Sequence, residues 1–276
     1  RGWGRNHPPR TMAEPESHFA TVAPLDPRYG SGCYRRVILL SSPVIGVVDA
    51  ALEDDPHAFS IRIEHDGERV TAVRAHAERY PLSTCGGAVR PIQALVGASL
   101  SGVSLELKRH ADPRANCTHL FDLAGWAIAH AARGIPGTRR YDISIPDAID
   151  GRAEARLSLD GAEVLCWLIE HGRILAPAPY AGQQVLGGFT RWASGALRGD
   201  ELEHALMLAR GYFVSLARIF DMQAAGSHPA ADHPMPAGSC YSYSPGVVEQ
   251  AWSLPDNRRD FSAAQSDMLR WVRPEE

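Results

Sequence analysis

Phe59-Ser-Ile-Arg-Ile-Glu-His-Asp66-Gly67-Glu-Arg-Val-Thr-Ala-Val73 alternates apolar and polar residues on both sides of an Asp-Gly pair. Alternation places one set of side chains on a single strand face, and Asp-Gly tolerates the positive φ angles of a type I′ turn. The stretch predicts an antiparallel hairpin. A second such stretch, Ala155-Arg-Leu-Ser-Leu-Asp160-Gly161-Ala-Glu-Val-Leu-Cys-Trp-Leu-Ile169, predicts another, and Glu170-His171-Gly172 turns the chain back through Arg173-Ile-Leu. Upstream, residues 37–48 (VILLSSPVIGVV) are strand-like and interrupted by Pro43.

Helical spacing separates and follows these hairpins. A helix is expected over about 84–96, interrupted by Pro91, and a stronger one over 117–132. There Leu120, Leu123, Ala124, Ala127, Ile128 and Ala131 recur at three- and four-residue intervals before Gly134 and Pro136. A third is expected over 200–222, opening on acidic residues suited to the positive end of the helix dipole and carrying Leu202, Leu206, Ala209, Phe213, Leu216 and Phe220 on one face. The fold class is α+β: an antiparallel sheet built from hairpins with helices packed on it. No Gly/Ser- or Pro-rich linker divides the middle, so residues 35–264 read as a single domain. Residues 1–34 read as a tail whose first 11 residues, ahead of Met12, are a non-native start, and residues 265–276 read as a C-terminal tail. The stretch after Ala225, rich in His, Pro and Ser, is expected to be irregular.

Composition narrows the function classes. With 276 residues, 45% hydrophobic and 22% charged, the chain can bury a full core, which excludes disorder, collagen and coiled coil. Lys and Arg total 28 against 32 Asp and Glu, a net charge of −4 with no basic stripe, so no nucleic-acid partner is expected. No apolar run approaches the roughly 18 residues a membrane-spanning helix requires, and no secretory signal precedes the fold, so the expectation is a soluble, cytoplasmic protein without a membrane partner. The five cysteines, Cys33, Cys85, Cys117, Cys166 and Cys240, are odd in number and irregularly spaced, which points to free thiols.

Phosphate-cradling GxGxxG and GxxxxGK[ST] runs, the GxSxG turn, HExxH and CxxC pairs are all missing, so no organic cofactor and no metal centre is expected. Polar residues concentrate in three segments: Asp54-Asp55-Pro56-His57, then Arg79-Tyr80-Pro81-Leu-Ser-Thr84-Cys85, and Asn116-Cys117-Thr118-His119-Leu-Phe-Asp122. Asn116 as N-cap would put Cys117 in the first helical turn, where the dipole lowers a thiol pKa, and Cys85 sits similarly behind Thr84. His119 and Asp122 share a helix face, so the carboxylate would orient the imidazole. Each feature has a plainer reading: core cysteines, a surface His–Asp pair, a solvated Arg79. Zinc on Cys85, Cys117, His119 and His57 is a further alternative, although the spacing matches no ligand pattern. Tyr180, Phe189, Trp192, Tyr241 and Tyr243 lie in Gly- and Pro-rich connections, where they either wall a pocket for a flat ligand or cover sheet ends.

The runs EDDPHAF (53–59), HDGERV (65–70), RYPLSTCGGA (79–88), NCTHLFDLA (116–124), GSCYSY (238–243) and RRDFS (258–262) resemble a bacterial family known as domain of unknown function 2889, over about Asp49 to Ser262. The resemblance marks His57, Arg79, Thr84, Cys85, Cys117, Thr118, His119 and Asp122. The activity it suggests is a cofactor-independent lyase that removes formaldehyde from a lignin-derived aromatic dimer. The working expectation is thus general acid/base elimination on an aromatic hydroxylated small molecule. His119 is the base, Asp122 its orienter, Arg79 the stabiliser of negative charge, and His57 or Tyr80 the acid. Cys85, Cys117, Thr84, Tyr180, Phe189, Trp192 and Tyr241 are expected to line the substrate pocket. A homodimer is left open. The alternatives are a non-catalytic binding protein for an apolar ligand and a cysteine-dependent hydrolase or transferase.

Overall fold

The computed structural model describes residues 23–102, 104–134, 136–233 and 235–272; the expected non-native start lies outside them. Eight antiparallel strands form one sheet: β1 Cys33–Ser42, β2 Val47–Asp54, β3 Ala58–His65, β4 Val70–Arg79, β5 Gly137–Pro146, β6 Arg152–Leu159, β7 Ala162–Glu170 and β8 Arg173–Ala176. Their spatial order is β4-β3-β2-β1-β5-β6-β7-β8. The second four-stranded meander repeats the first: strands begin at 33, 47, 58 and 70 and again at 137, 152, 162 and 173, a constant offset of 103–105 residues. β1 and β5 join the halves by antiparallel pairing from Cys33↔Pro146 to Ser42↔Gly137. The α+β architecture read from the sequence is the one observed.

Turn chemistry explains the hairpins, with one correction. Asp160 (φ 50°) and Gly161 (φ 85°) form the two-residue β6–β7 turn, and His171 (φ 46°) and Gly172 (φ 76°) form the β7–β8 turn, both with the two positive φ angles of type I′. Asp66-Gly67 instead sits in a four-residue loop, because His65 pairs with Val70. The Asp66 carboxylate accepts the amides of Glu68 (2.9 Å) and Arg69 (2.8 Å), which closes the wider loop.

Three helices cover one face: α1 Thr118–Arg133, α2 Phe189–Ala196 and α3 Gly199–Ser215. α1 lies over β2 and β3, and α3 over β5, β6 and β7. All six residues of the apolar stripe expected on α1 are buried, and Gly134 ends the helix in the left-handed conformation. The helix expected over 84–96 is two short 3₁₀ turns, Cys85–Val89 and Pro91–Leu95. Pro91 lacks the amide a continuous helix needs, and a Cβ on Gly87 would collide with the Tyr241 hydroxyl, so close packing fixes glycine there. α3 stops at Ser215 and passes into a 3₁₀ turn, Leu216–Ile219. Its buried side is formed by Ala205, Leu208, Gly211 and Tyr212, while Phe213 from the expected stripe is 40% exposed. The expected stripe is therefore split: Leu202 is buried in the core, whereas Phe213 faces outward.

The opposite sheet face is partly covered by the chain's last described segment. Val37 and Ala51 pack against Phe261, Met268 and Leu269, so the expected C-terminal tail is packed structure over these residues. At the other end β1 begins at Cys33, inside the tail expected over 1–34. Beyond Ala225 only short turns occur, in keeping with the irregular segment expected. No helix among the described residues is long and apolar enough to cross a membrane.

A Cβ on Gly211 would stand 3.0 Å from Ile143 Cγ2 of β5, so α3 packs directly on the sheet there. Gly211→Leu is expected to lower unfolding free energy by about 1–3 kcal/mol through overpacking, read from urea denaturation.

Candidate active site

The centre of the site follows from strand register. Tyr34, Arg36, Ile38 and Leu40 alternate along β1 on the helix-covered face, and all are fully buried. The β1–β2 register sets Arg36 directly opposite Asp54, the last residue of β2. Asp54 Oδ2 accepts Arg36 Nε (2.9 Å), Arg36 Nη2 (2.5 Å) and the Tyr34 hydroxyl (2.8 Å). Oδ1 accepts the His57 amide (2.8 Å) and His57 Nδ1 (2.9 Å), across a turn closed by the Asp54 amide on the His57 carbonyl (2.8 Å). Burial opposes the Asp54 charge, but His57 and Arg36 hold its carboxyl well below the usual range. An ionised carboxylate only accepts, so His57 Nδ1 carries the proton in this bond and Nε2 is the ring nitrogen left for chemistry.

His119, in the first turn of α1, lies over His57 with ring centroids 3.7 Å apart at 31°. Phe59 backs both rings, at 5.9 Å and 6.3 Å. Burial first, then the His57 and Arg36 charges, push the His119 pKa well below its ordinary value, so it is neutral at pH 7. Its Nε2 is buried with no hydrogen-bond partner among the described residues. Buried polar atoms are nearly always satisfied, so an orphan beside an oriented imidazole marks a place where something else is meant to bind.

Asp54, His57 and His119 bring donor atoms within 4.8 Å of one another, close enough to suggest a metal site. The donor set does not fit one. Five donors occupy the roughly four lone-pair sites of Asp54, which leaves two imidazole nitrogens where metals usually take three or four protein ligands. No thiol joins this group among the described residues, so the alternative zinc set of Cys85, Cys117, His119 and His57 does not assemble.

The remaining expected site residues are dispersed, each for a visible reason. Asp122 does not orient His119: its Oδ2 accepts Arg210 Nε of α3 at 2.6 Å. Arg79 is committed within the protein, to Glu53 Oε1 (2.8 Å) and to the backbone carbonyls of Asp54 (2.8 Å), Asp55 and Asn257 (3.2 Å). It braces the Asp54–His57 turn instead of presenting a free cation. Tyr80 and Tyr241 pack their rings against Gly86 and Gly87, respectively. Tyr180 and Phe189 pack on the fully buried Trp167 at 5.5 and 5.2 Å, and Trp192 packs on both of them. They are mainly core, although Phe189 also reaches a surface cleft.

The cysteine expectation reverses. Cys117, not Asn116, is the N-cap of α1 and forms no side-chain cap bond. Burial drives its thiol pKa far up, and burial pushes that of Cys85 up to about 11 despite the Ser242 hydroxyl at 3.2 Å. Desolvation outweighs the helix dipole, and neither thiol is a thiolate at neutral pH. Thr84 Oγ1 nearby is buried without a partner among the described residues.

Sequence reasoning missed Tyr34 and Arg36 and gave Asp54 no role. The signal was present: Arg36 occupies a core position in the period-2 pattern of β1, where an arginine requires a buried partner. It also missed Arg218, whose Nη1 and Nε tie Asp55 (2.8 Å) and Asp147 (2.7 Å) together beneath the turn. Burial pushes Asp55 up to about 6 in spite of that arginine.

Fold and site define an antiparallel-sheet α+β protein with a buried Asp–His–His cluster at the first β-meander and the start of its helix. Residues 48–133 match the family model described as "Protein of unknown function (DUF2889)", a likeness confined to this segment of the chain. The match holds Asp54, His57 and His119, whereas the GSCYSY and RRDFS runs lie beyond it. No curated protein matches the chain.

Two stability measurements test the cluster. Arg36→Met leaves the Asp54 charge buried without its cation and should cost about 3–5 kcal/mol in urea unfolding, part of it recovered by adding Asp54→Asn. Acid sensitivity follows from the signs of the shifts. His119, with its folded pKa depressed, favours the folded state fully above about pH 6.5 and less as pH falls, because the unfolded chain takes up the proton first. Asp54, also depressed, adds its loss only below about pH 4. Asp55, raised to about 6, acts in the opposite sense and loses stability as pH rises through that value. The unfolding free energy of the wild type minus that of His119→Phe should therefore fall from pH 7 to pH 5; a constant value contradicts the neutral, desolvated imidazole.

Proposed function

We propose that the protein is a general acid/base enzyme acting on a hydroxylated aromatic small molecule, with Asp54, His57 and His119 as its machinery. One observation carries the reading: an imidazole oriented by a saturated carboxylate stacks on a second, neutral imidazole whose Nε2 is unpartnered. Asp54 accepts the Nδ1 proton of His57 and fixes its tautomer, as the acid of a catalytic Asp–His pair does, so His57 Nε2 is the base. This assignment shifts the orienting role from Asp122 to Asp54 and the base from His119 to its neighbour.

The reaction that suits the pair is elimination of formaldehyde from a hydroxymethyl group beside a second, benzylic hydroxyl. His57 takes the hydroxymethyl proton, the carbon–oxygen double bond of formaldehyde forms, and the carbon–carbon bond breaks. Its electron pair becomes a carbon–carbon double bond and expels the benzylic hydroxide. The proton held by His57 returns through the adjacent His119 to that oxygen as water, so formaldehyde, an alkene and water balance the substrate. Raised thiol pKa values weigh against the cysteine-dependent alternative.

A two-ring lignin-type diol bearing a hydroxymethyl group is the substrate to assay, with released formaldehyde as the readout. His57→Ala and His119→Ala should each lower turnover by about two to four orders of magnitude, with folding checked by circular dichroism. Alkylation of accessible thiols should leave the rate unchanged. Near-normal turnover in both histidine variants overturns the assignment, and saturable binding without product in the wild type moves the reading to a binding protein.

A further inference from the structure

A cleft of about 430 Å³ opens between the first half of α1, the segment 185–190 that leads into α2, and the middle of α3. Its volume falls in the range of small-molecule sites. Neither His57 nor His119 lines it, since Thr118 and Asp122 face it from the other side of α1. What is argued for it therefore stands whether or not the imidazole pair is catalytic.

The cleft explains the misplaced stripe of α3. Leu206, Ala209 and Phe213, three residues of the stripe expected on one face, line this cleft. α3 is apolar on two faces, with Ala205, Leu208 and Tyr212 packed on the strands and the second face left to the opening. Phe121 and Trp126 of α1 and Phe189 of α2 complete an aromatic lining. Gly187 and Gly188 keep one rim open: a Cβ on either would meet nothing within 4 Å.

Charge supplies the second half of the argument. Arg210 reaches the cleft one helical turn from Leu206 and uses Nε for Asp122, while neither Nη atom has a hydrogen bond among the described residues. Lys108 stands exposed in the same lining with no ion-pair partner among the described residues. Two cations face one carboxylate, so the cleft is positive in sum. A guanidinium with its Nη edge unoccupied presents paired donors to a planar anion.

We propose that this cleft binds a small aromatic carboxylate of one or two rings, the rings held among Phe121, Trp126, Phe189 and Phe213 and the carboxylate on Arg210 with Lys108 nearby. The test is calorimetric titration of the full chain with 4-hydroxybenzoate, biphenyl-4-carboxylate and the neutral amide of each. The acids should bind saturably at one site, and each amide should bind about tenfold or more weaker, the scale of one lost charge-assisted contact. Arg210→Met should bring acid binding down to that of the amide and leave amide binding unchanged. Phe213→Ala should weaken acid and amide alike. His119→Ala should leave both unchanged.

Asp122→Asn and Lys108→Ala guard against an Arg210 variant that fails to fold. Removing the competing carboxylate should hold or tighten acid binding, and removing the exposed cation should loosen it several-fold. Absence of saturable binding, equal affinity for acid and amide, or weaker acid binding in Asp122→Asn overturns the proposal. Loss of binding in His119→Ala also overturns it, because the ligand would then sit on the imidazole pair.

Discussion

The pairing of Arg36 with Asp54 is the constraint on which the first half of the molecule depends. Two opposite charges removed from water are tolerated only with near-complete hydrogen bonding, and here the carboxylate receives five donors from three residues, Tyr34 and Arg36 of β1 and His57 of the β2–β3 turn. That demand fixes several things at once. It pins the β1–β2 register, since a one-residue slip would send Arg36 to the other face. It also sets the tautomer and ring orientation of His57 and so decides which nitrogen is available. A second layer holds the turn from outside: Arg79 through its backbone carbonyls and Arg218 through Asp55.

The sheet was largely legible from the residues because hairpins are local. Alternation and Asp-Gly or His-Gly turns act over fewer than about 16 residues, and their physics does not wait for the rest of the chain. The helix over 84–96 was misread because helical spacing there came without the backbone to support it: Gly86 and Gly87 admit the close approach of Tyr80 and Tyr241, and Pro91 lacks an amide. α3 was misread in the opposite sense. Its apolar residues surround the helix, so periodicity alone could not say which face meets the sheet.

The site was half legible. His57 and His119 were both singled out from the sequence, and they meet although they are far apart in sequence and sit on different elements. Their partner was misassigned because spacing along a helix favours i,i+3 neighbours, whereas the actual carboxylate comes from across a strand turn. Asp122 was drawn instead to Arg210 on another helix, an interaction no local pattern announces. The thiols were misjudged for a different reason. A helix start lowers a thiol pKa only where water or a cation can share the charge, and Cys117 is too buried for either.

The two meanders also bear on how the chain reaches its fold. Within each half, every strand pairs with the one next to it in sequence, so hairpins can form early and independently. The joint between halves is of another kind: β1 must find β5 after most of the first hundred residues of the sheet have been made, and its ten pairs come only when that long loop closes. The central seam of the sheet is thus its most non-local part. Until it closes, β1 is an open edge whose inner face carries Arg36 among Tyr34, Ile38 and Leu40, and an inward-pointing charge of this kind discourages pairing with a second chain. The residue that organises the site thereby also protects the unfinished sheet.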